Sequence, residues 1–404
     1  MADNILVVNT GSSSIKFQLF GIEQGDRLVR RLKGQIEGIG TRPRLLVKNA
    51  DGECEADTSW RPDEVRVLPE ALDRLVTFLR EHVGKLPVAI GHRVVHGGSD
   101  YIEPTVVTSR VLASLQQFVP LAPLHQPNNL AAIRIVQDRQ PQLLQVACFD
   151  TAFHRHHPEV ADCYAIPEKF YRSGVRRYGF HGLSYEYIAG RLRDVAPEIA
   201  DKRVIIAHLG SGASMCAMLA GKSVESSMGF TALDGLPMGT RPGQIDAGVV
   251  LYLMNQEGMN TNEIEHFLYH DCGLKGLSGI SNDVRDLLKS TDPRAKLALD
   301  YFVYRIALFV GTLATALGGL DALVFTAGIG ENAPQIRKAV MDRLSWLGIE
   351  LAEKANANDE LRISSKRSDI SCFVIPTDEE LMIARHTLRV LRRHASATLE
   401  EKRA

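Results

Sequence analysis

The feature of this sequence that most restricts its fold is a strand–turn–strand pattern that occurs once in each half. In residues 5–20, ILVV is followed by the turn NTGSSS and by IKFQLF, and in residues 204–219, VIIA is followed by HLGSGA and SMCAML. The copies align without a gap, pairing Asn9 with His208, Gly11 with Gly210 and Ser12 with Ser211. Short apolar runs around a small-residue turn predict a β-hairpin in each half, and their repetition predicts an internal duplication.

Each hairpin is followed by a helix and by a strand that ends in glycine, which extends the repeat beyond the turn. In the first half, apolar spacing predicts a helix over 68–83, and a buried strand at 87–90 runs into GHRVVHGG. In the second half, Asp292 and Pro293 mark the start of a helix that runs towards Gly318, ahead of the strand in VFTAGIGEN (324–332). We therefore predict two related α/β lobes.

Charge and composition exclude several classes of protein. The 47 Lys and Arg residues balance the 48 Asp and Glu residues, so no overall field attracts nucleic acid or an anionic membrane. Six cysteines without a C-x-x-C pair suit neither a disulfide scaffold nor a zinc site. The uncharged stretch 306–320 is shorter than the roughly 20 residues that span a bilayer, and the N-terminus lacks a signal pattern. We expect a soluble, cytoplasmic protein in which 306–320 belongs to a buried helix.

The glycine- and serine-rich turns are suited to holding phosphate. Their backbone N–H groups and serine hydroxyls, including that of Ser12, can donate to an anion without a bulky side chain in the way. One such turn alone is more often an ordinary hairpin, whereas one in each lobe favours a bound polyphosphate. A third motif, Gly328–Ala333, matches the G-x-G-x-x-A pattern of dinucleotide-binding folds, but too little chain follows it for a complete fold of that kind. We interpret it as a strand end against which a nucleotide base or ribose lies.

Two arginines lie among glycines, where a guanidinium can form paired hydrogen bonds with a carboxylate or a phosphate. Arg93 follows a buried strand in GHRVVHGG, and Arg241 lies in LDGLPMGTRPGQID. A surface ion pair is the alternative for either arginine. Asp150 follows the predicted strand 144–149, a position at which carboxylates of α/β sheets often face a ligand.

Other polar groups are ambiguous from the residues alone. His181 in YGFHGLSY and His125 in PLHQP are two of 13 histidines, and a single histidine is more often structural than catalytic. Glu379 lies in TDEE (377–380), which predicts a capping box at the start of the C-terminal helix. The helix dipole alone favours an acidic residue there, so the residues by themselves give Glu379 a structural role.

Taken together, the motifs resemble those of the acetate kinase family, within the acetate and sugar kinase/Hsp70/actin superfamily. They run in one order: NTGSSSIKF, GHRVVHGG, FDTAFH, YGFHGLSY, HLGSGAS, SMGFTALDGLPMGTRPGQID, SGISNDVR, FTAGIGEN and PTDEEL. The resemblance implies a homodimer with a duplicated, RNase H-like α/β fold, whose two lobes lie around a nucleotide cleft. The lobe on the carboxylate side would be 1–150 with about 381–404, and the nucleotide-binding lobe would be 151–380.

The resemblance also implies an activity: reversible transfer of the ATP γ-phosphoryl group to acetate, with Mg²⁺, or Mn²⁺ in its place. The implied catalytic residues are Asp150, His181, Arg241 and Arg93, and the implied metal ligands are Asn9 and Glu379, which overturns the structural role of Glu379. The implied acetate site consists of Arg93, Val95, Leu124, Phe180 and His125. The implied ATP contacts are Ser12, Lys16, His208, Leu209, Gly210, Ser211, Gly212, Asp283, Val284, Arg285, Gly328, Ile329, Gly330, Glu331 and Asn332.

The chemistry agrees with these roles except at one residue. Transfer between two anions needs positive charge around the phosphoryl group, which His181 and Arg241 would supply. The family assigns Asp150 as a proton donor or acceptor, but a small carboxylic acid is already ionised at pH 7 and needs no base. We expect Asp150 to orient arginine groups or hydrated Mg²⁺ instead.

Two departures from the family pattern bear on substrate binding. Ser211 replaces a common asparagine and affects one polar contact to phosphate, and Ala232 replaces a common proline near the methyl pocket, which favours propionate as a further substrate. The alternatives are a propionate or butyrate kinase, a non-catalytic nucleotide switch of the Hsp70/actin type, and a dehydrogenase. A switch would leave Arg93, Arg241 and His181 without a task.

Overall fold

The computed structural model of this chain describes residues 3–401, and the side chains as far as 396. Its strands are β1 (Asn4–Thr10), β2 (Ile15–Ile22), β3 (Leu28–Glu37), β4 (Arg44–Asn49), β5 (Cys54–Ser59), β6 (Ala89–Val94), β7 (Thr105–Val106), β8 (Leu144–Phe149), β9 (Arg203–Leu209), β10 (Ala213–Leu219), β11 (Lys222–Ser226), β12 (Ala322–Thr326) and β13 (Ser371–Val374).

The helices are α1 (Leu68–Val83), α2 (Ser109–Gln116), α3 (Gln126–Arg139), α4 (Glu159–Asp162), α5 (Glu168–Arg172), α6 (Gly182–Val195), α7 (Pro197–Ala200), α8 (Ala247–Asn255), α9 (Thr261–His270), α10 (Gly273–Ser278), α11 (Val284–Lys289), α12 (Pro293–Leu317), α13 (Ala327–Asn332), α14 (Pro334–Arg343), α15 (Glu353–Ala357) and α16 (Glu379–Glu401).

The chain forms two compact units. Unit 1 contains the residues up to Ala152 together with those from Asp378 onward, and unit 2 contains Phe153–Thr377. The sequence placed the divisions after residues 150 and 380, so Glu379 and Glu380 belong to unit 1 rather than to the nucleotide-binding lobe. The reason is that α16 packs on β1, β6 and β8 from its first turns. Residues 1–2 and 402–404 of the predicted first lobe lie outside the described residues.

Five of the eight strands in the sheet of unit 1, β3-β2-β1-β6-β8, have the same arrangement as the five strands in the sheet of unit 2, which confirms the predicted duplication. The sheet of unit 1 has the order β5-β4-β3-β2-β1-β6-β8-β7, and that of unit 2 the order β11-β10-β9-β12-β13. In both, an antiparallel hairpin (β1–β2 or β9–β10) is extended by strands that run parallel to its first member. The fold is therefore the duplicated α/β fold of the actin, Hsp70 and sugar kinase type.

A glycine decides how α16 packs in unit 1. One face of the sheet packs on α1 and α3 through a core that includes Leu6, Ile15 and Leu75. On β6, a Cβ on Gly91 would lie 2.6 Å from Ile383 and 2.3 Å from Thr387 of α16. Only glycine permits this approach, and α16 therefore lies directly against β6 with its first turn near the end of that strand.

The long helix α12 is the main helix against the sheet of unit 2. Asp292 caps it by accepting from the Arg294 N–H, and it ends at Gly318 in the left-handed conformation, as the sequence predicts. By length and composition it could cross a membrane, but in the structure it packs on β10, β11 and β9. The predicted burial holds for one face only. Buried Ala298, Phe302, Ile306 and Val310 lie on that face, whereas Leu297, Tyr304 and Leu308 are exposed.

Candidate active site

In unit 1, the structure brings three predicted site residues together at one end of the sheet. The guanidinium of Arg93, on β6, forms a paired hydrogen bond with Asp150, with Nε 3.0 Å from Oδ1 and Nη2 2.6 Å from Oδ2. Asp150 directly follows the neighbouring strand β8, and its N–H donates to Val94 O. Glu379, the first residue of α16, has its Oε2 3.9 Å from Arg93 Nε. Because Arg93 is two residues after Gly91, its side chain leaves β6 on the face that α16 covers.

Carboxylates outnumber cations in this cluster. The side chain of Asp150 is 2% exposed and that of Glu379 is 18% exposed. Burial alone would lower the pKa of Arg93, but Asp150 and Glu379 outweigh it and raise that pKa. Burial raises the pKa of Glu379 to about 7; Arg93 and Lys16 oppose the rise, and Asp150 and Glu380 add to it. Unit 1 therefore holds an arginine that is already paired and a carboxyl group that lacks sufficient positive charge.

The residues of this cluster suit a hydrated Mg²⁺ ion. Within residues 3–401, His, Cys, Asp and Glu side chains form no group of three that could enclose a metal ion. Mg²⁺ does not require such a group, because it keeps several waters and binds through one or two carboxylates. The excess of carboxylates around Glu379 is the charge that a divalent cation would compensate.

The first hairpin positions two further predicted residues. β1 and β2 pair in a register that places Asn9 opposite Lys16, and the turn between them closes with a hydrogen bond from Gly11 N–H to Ser14 O. Ser12 is exposed in this turn and Lys16 is exposed on β2. The hairpin therefore presents an amide, a hydroxyl and an ammonium group along one short segment.

The predicted acetate residues of unit 1 lie just beyond β6 and before α3. Val95 is buried, and its N–H donates to Asn129 Oδ1 at 3.2 Å. Leu124 is half-buried and His125, which precedes α3, is exposed. Phe180, which was also predicted for the acetate site, is a buried residue of unit 2. Its carbonyl oxygen lies 2.9 Å from His154 Nε2.

In unit 2, His181 and Arg241 converge on the second glycine turn. A Cβ on Gly212 would lie 2.9 Å from Arg241 Nη2 and 3.2 Å from His181 Nε2. His181 precedes α6 in the left-handed conformation, with φ of 57°, which is uncommon for a residue other than glycine and recurs at functional sites. Its ring stacks on that of His208, with centroids 4.2 Å apart. These two predicted residues and the phosphate turn therefore form one cluster.

Arg241 is a half-buried cation without a carboxylate partner among the described residues. Its Nη1 donates to the carbonyl oxygen of Ala232 at 2.7 Å, and no Asp or Glu within residues 3–401 forms an ion pair with it. Burial lowers its pKa, because the charged form is costly away from water. An anion bound beside Gly212 would supply the missing charge.

A cavity of about 680 Å³ in unit 2 collects most of the predicted nucleotide contacts. Its lining includes Gly210, Ser211, Asp283, Val284, Arg285, Gly328, Ile329 and Asn332. Cavities of this size hold small-molecule ligands. Arg285 forms an ion pair with Asp283, with Nη2 2.6 Å from Oδ2. The carboxylate of Asp283 therefore largely compensates the charge of Arg285.

Three residues that were predicted to contact the nucleotide have side chains that are buried or hydrogen-bonded within the protein. The side chain of Leu209 is buried in the core, and His208 Nδ1 lies 2.8 Å from Ser184 Oγ. Glu331 accepts hydrogen bonds from the backbone N–H groups of Ala327 and Thr377. It therefore fixes the loop around α13 instead of lining the cavity. The predicted strand end at GIGEN is this short helix, which begins at Ala327 with φ of 65°.

Comparison with known proteins decides the family. A model of the acetokinase family matches residues 4–385. The chain belongs to the acetokinase family. A protein named acetate kinase from Nitrobacter hamburgensis is 59% identical over 401 residues and covers 99% of each chain. One from Rhizobium meliloti is 55% identical and covers 96% of this chain and 98% of its own.

Solved structures of the same family have this fold. The acetate kinase of Porphyromonas gingivalis is 36% identical, with a TM-score of 0.86, and covers 96% of this chain and 100% of its own. A propionate kinase from Francisella tularensis is 39% identical, with a TM-score of 0.88 and coverage of 96% and 99%. The chain is thus a phosphotransferase of the acetokinase family, for which ATP and ADP are the nucleotide co-substrates.

Sequence reasoning missed several side chains of this acetokinase site. Met238, Asn282 and Phe302 line the cavity of unit 2. Ser214 and Tyr185 bond to each other, and Ser214 also bonds to His181. The spacing of Tyr185, one helical turn after His181, was the available signal for that pair.

The sequence predicted Thr377 as the residue that caps α16, and this prediction is wrong. Asp378 Oδ1 accepts the hydrogen bond from the Leu381 N–H at the start of the helix. The Thr377 hydroxyl instead accepts a hydrogen bond from the Ser184 hydroxyl.

Proposed function

We propose that this chain transfers the γ-phosphoryl group of ATP to acetate, reversibly, to give acetyl phosphate and ADP. One observation carries the phosphoryl-transfer part of this proposal: Arg241 is half-buried, has no carboxylate partner in the described residues and lies beside the glycine turn of unit 2. A protein gains no stability from such a cation, because a charge partly removed from water without an opposite charge beside it is unfavourable. It has a catalytic reason to keep the cation if the charge faces a transferring phosphoryl group.

On the carboxylate side, we assign binding of acetate to Arg93 and the apolar residues beside it. Arg93 is held by Asp150 with one edge of its guanidinium, so that its remaining N–H donors have a fixed direction. Val95, which is buried, and Leu124, which is half-buried, would supply apolar surface for a methyl group. Phe180 and His125 complete the set that the family pattern implies.

We assign Asp150 to organising this site. Its two oxygens are occupied by Arg93, and its side chain is almost fully buried. Acetate is bound as an anion, so no proton has to be removed from its attacking oxygen. Asp150 therefore fixes the arginine, and through the arginine it fixes the carboxylate that attacks phosphorus.

Mg²⁺, held by Glu379 and Asn9 with several waters, is the metal that the residues fit best. Its chemistry when bound is to neutralise charge on the phosphate oxygens. Lys16, opposite Asn9 in the hairpin, adds a further positive charge. Ser12 and the backbone N–H groups of its turn are donors for phosphate oxygens.

On the phosphoryl side, we assign His181 and Arg241 to the group in transit. Both reach the space beside Gly212, where their N–H groups can stabilise charge on the equatorial oxygens of a loose transition state. The cavity lined by Asp283, Ile329 and their neighbours then holds the remainder of the nucleotide. In this account, each unit positions one of the two substrates.

Propionate is the second candidate substrate. It is favoured by Ala232, where the family pattern has proline, and by the likeness to a propionate kinase. The Ala232 carbonyl holds Arg241, which gives this position a role in placing the arginine as well. Trapping the acyl phosphate with hydroxylamine, with ATP, Mg²⁺ and acetate, propionate or butyrate, tests the proposal. We expect the highest kcat/KM with acetate; no acyl hydroxamate from any of the acids would contradict it.

A homodimer and a cytoplasmic location belong to the same proposal. No residue of α8 is buried although its sequence is AGVVLYLMN, and Leu251 and Tyr252 are more than half exposed. Leu297 and Tyr304 of α12 are also exposed, and exposed apolar faces of this kind mark protein interfaces. Sedimentation equilibrium should give twice the chain mass, and Leu251→Glu with Tyr252→Glu should give the monomer. Use of ATP as co-substrate favours the cytoplasm.

A further inference from the structure

Two buried hydroxyl groups form a chain of hydrogen bonds that ends on the imidazole of His181. Tyr185 Oη lies 2.5 Å from Ser214 Oγ, and Ser214 Oγ lies 2.8 Å from His181 Nδ1. We propose that Tyr185 and Ser214 are positioning residues that set the tautomer of His181, so that Nδ1 accepts and Nε2 carries the hydrogen donated to the phosphoryl group. This inference rests on the proposed function and deepens it.

The fold places the three groups without freedom to rearrange. Tyr185 is one turn after His181, and its backbone N–H donates to His181 O at 3.1 Å. Ser214 lies on β10, paired with His208 on β9, and both Ser214 and Tyr185 are fully buried. Since the His208 ring stacks on the His181 ring at an interplanar angle of 15°, the imidazole is fixed both in its plane and at Nδ1.

The direction of the hydrogen bonds decides the tautomer. Tyrosine and serine hydroxyls each donate one hydrogen and can accept others, and we assign Tyr185 as the donor to Ser214. When Tyr185 donates to Ser214, the serine hydrogen is available for His181 Nδ1. A neutral imidazole that accepts at one nitrogen carries its hydrogen on the other, so Nε2–H is the result.

Nε2 is the nitrogen that faces the proposed reaction site. It lies on the Gly212 side of the ring, where Arg241 Nη2 also arrives. Phosphoryl oxygens accept hydrogen bonds but cannot donate them, so a lone pair at Nε2 would repel them. The opposite tautomer would therefore leave His181 correctly placed but unable to stabilise the transferred group.

Nitrogen-15 NMR of histidine-labelled protein at pH 8 tests the tautomer directly. The His181 signals are identified among those of the 13 histidines by their loss in His181→Gln. We expect a neutral ring with hydrogen on Nε2 in the wild type, and loss of this preference in Tyr185→Phe and Ser214→Ala. Hydrogen on Nδ1 in the wild type would overturn the inference, even if both variants failed to fold.

Kinetics of the same samples supply the functional readout. Both variants should lower kcat about 10- to 100-fold, the range found when a partner that orients a metal-binding histidine is lost, with KM for ATP and acetate changed less than about threefold. Ser223→Ala is the matched control, since Ser223 Oγ also lies 2.8 Å from a buried histidine Nδ1, that of His154; it should keep both kcat and the His181 spectrum. Wild-type rates with both variants would overturn the inference. Absence of acetate phosphorylation by the wild type would instead overturn the proposed function.

Discussion

Arg93 on β6 of unit 1 and Arg241 in the loop between β11 and α8 of unit 2 are both predicted site arginines, but they have opposite surroundings. Arg93 is bound on one side by Asp150 and approached by Glu379, and their charges raise its pKa. Arg241 donates to a single carbonyl oxygen, and burial lowers its pKa. Under the proposed function, this difference corresponds to two roles: Arg93 is fixed in direction to orient the acetate carboxylate, and Arg241 keeps its charge for the transferred phosphoryl group.

Substitution of Arg241 should have the largest effect. Arg241→Ala removes the uncompensated charge beside Gly212, and we expect kcat for acetyl phosphate formation to fall about 10²- to 10³-fold, as for other groups that stabilise a transition-state anion. Arg294→Ala is the control, because Arg294 is 62% exposed and pairs with Asp292; it should stay within about twofold of wild type. A near-normal kcat for Arg241→Ala would remove the phosphoryl role of this residue.

Arg93 should follow in size. Arg93→Ala should lower kcat/KM for acetate at least about 10²-fold through loss of a charge-assisted contact in a sheltered site. It also leaves Asp150 buried without its partner, so thermal unfolding must be recorded beside the kinetics. Arg93→Lys keeps the charge but not the paired geometry, and it should recover stability more fully than activity. Equal recovery of both would show that charge alone is needed.

Asp150 distinguishes an organiser from a base. Asp150→Asn should reduce activity about 10- to 10²-fold, because Arg93 loses the partner that fixes its direction. The acidic limb of the wild-type pH–rate profile should persist, and higher Mg²⁺ should restore part of the loss. A residual activity that is flat at acidic pH and indifferent to Mg²⁺ would support the proton-transfer role instead.

Substitution of Glu379 should have the smallest effect. The quantity measured is the free energy of unfolding in the absence of metal. The pKa of Glu379 is raised to about 7 in the folded chain, above its ordinary value, so the folded state binds more protons between these values. Stability must therefore fall as pH rises through that window, by at most about 3 kcal/mol. In EDTA, the wild type should lose unfolding free energy relative to Glu379→Gln between pH 5 and pH 8, and Mg²⁺ should reverse the trend. A difference independent of pH would contradict the assigned carboxylate excess.

Local patterns were sufficient for the elements of the fold but not for the contacts between them. The two hairpins, the Asp292 cap and the glycine end of α12 were predictable because the deciding residues are neighbours in sequence. Glu379 was not: its residues suggest only a helix start, and its approach to Arg93 depends on α16 packing over Gly91. The catalytic roles came from the resemblance to a family.

The hydroxyl chain behind His181 shows the same limit more sharply. Tyr185 could be suspected from its spacing on α6, but Ser214 lies on a strand that no local pattern brings near that helix. Glu331 shows the converse, because its motif suggests a ligand contact while its carboxylate holds the backbone at Ala327 and Thr377. Side-chain roles that depend on tertiary contacts need the structure.

Acetate saturation curves separate the two proposed roles, that of Arg93 toward the carboxylate and that of Arg241 toward the phosphoryl group. Hydroxamate formation at saturating ATP and Mg²⁺ should be measured across acetate concentrations for the wild type, Arg93→Ala and Arg241→Ala. We expect the KM for acetate to rise at least about tenfold in Arg93→Ala, and kcat to fall in Arg241→Ala with KM within about threefold of the wild type. The reverse pattern, with KM raised by loss of Arg241 and unchanged by loss of Arg93, would contradict both roles.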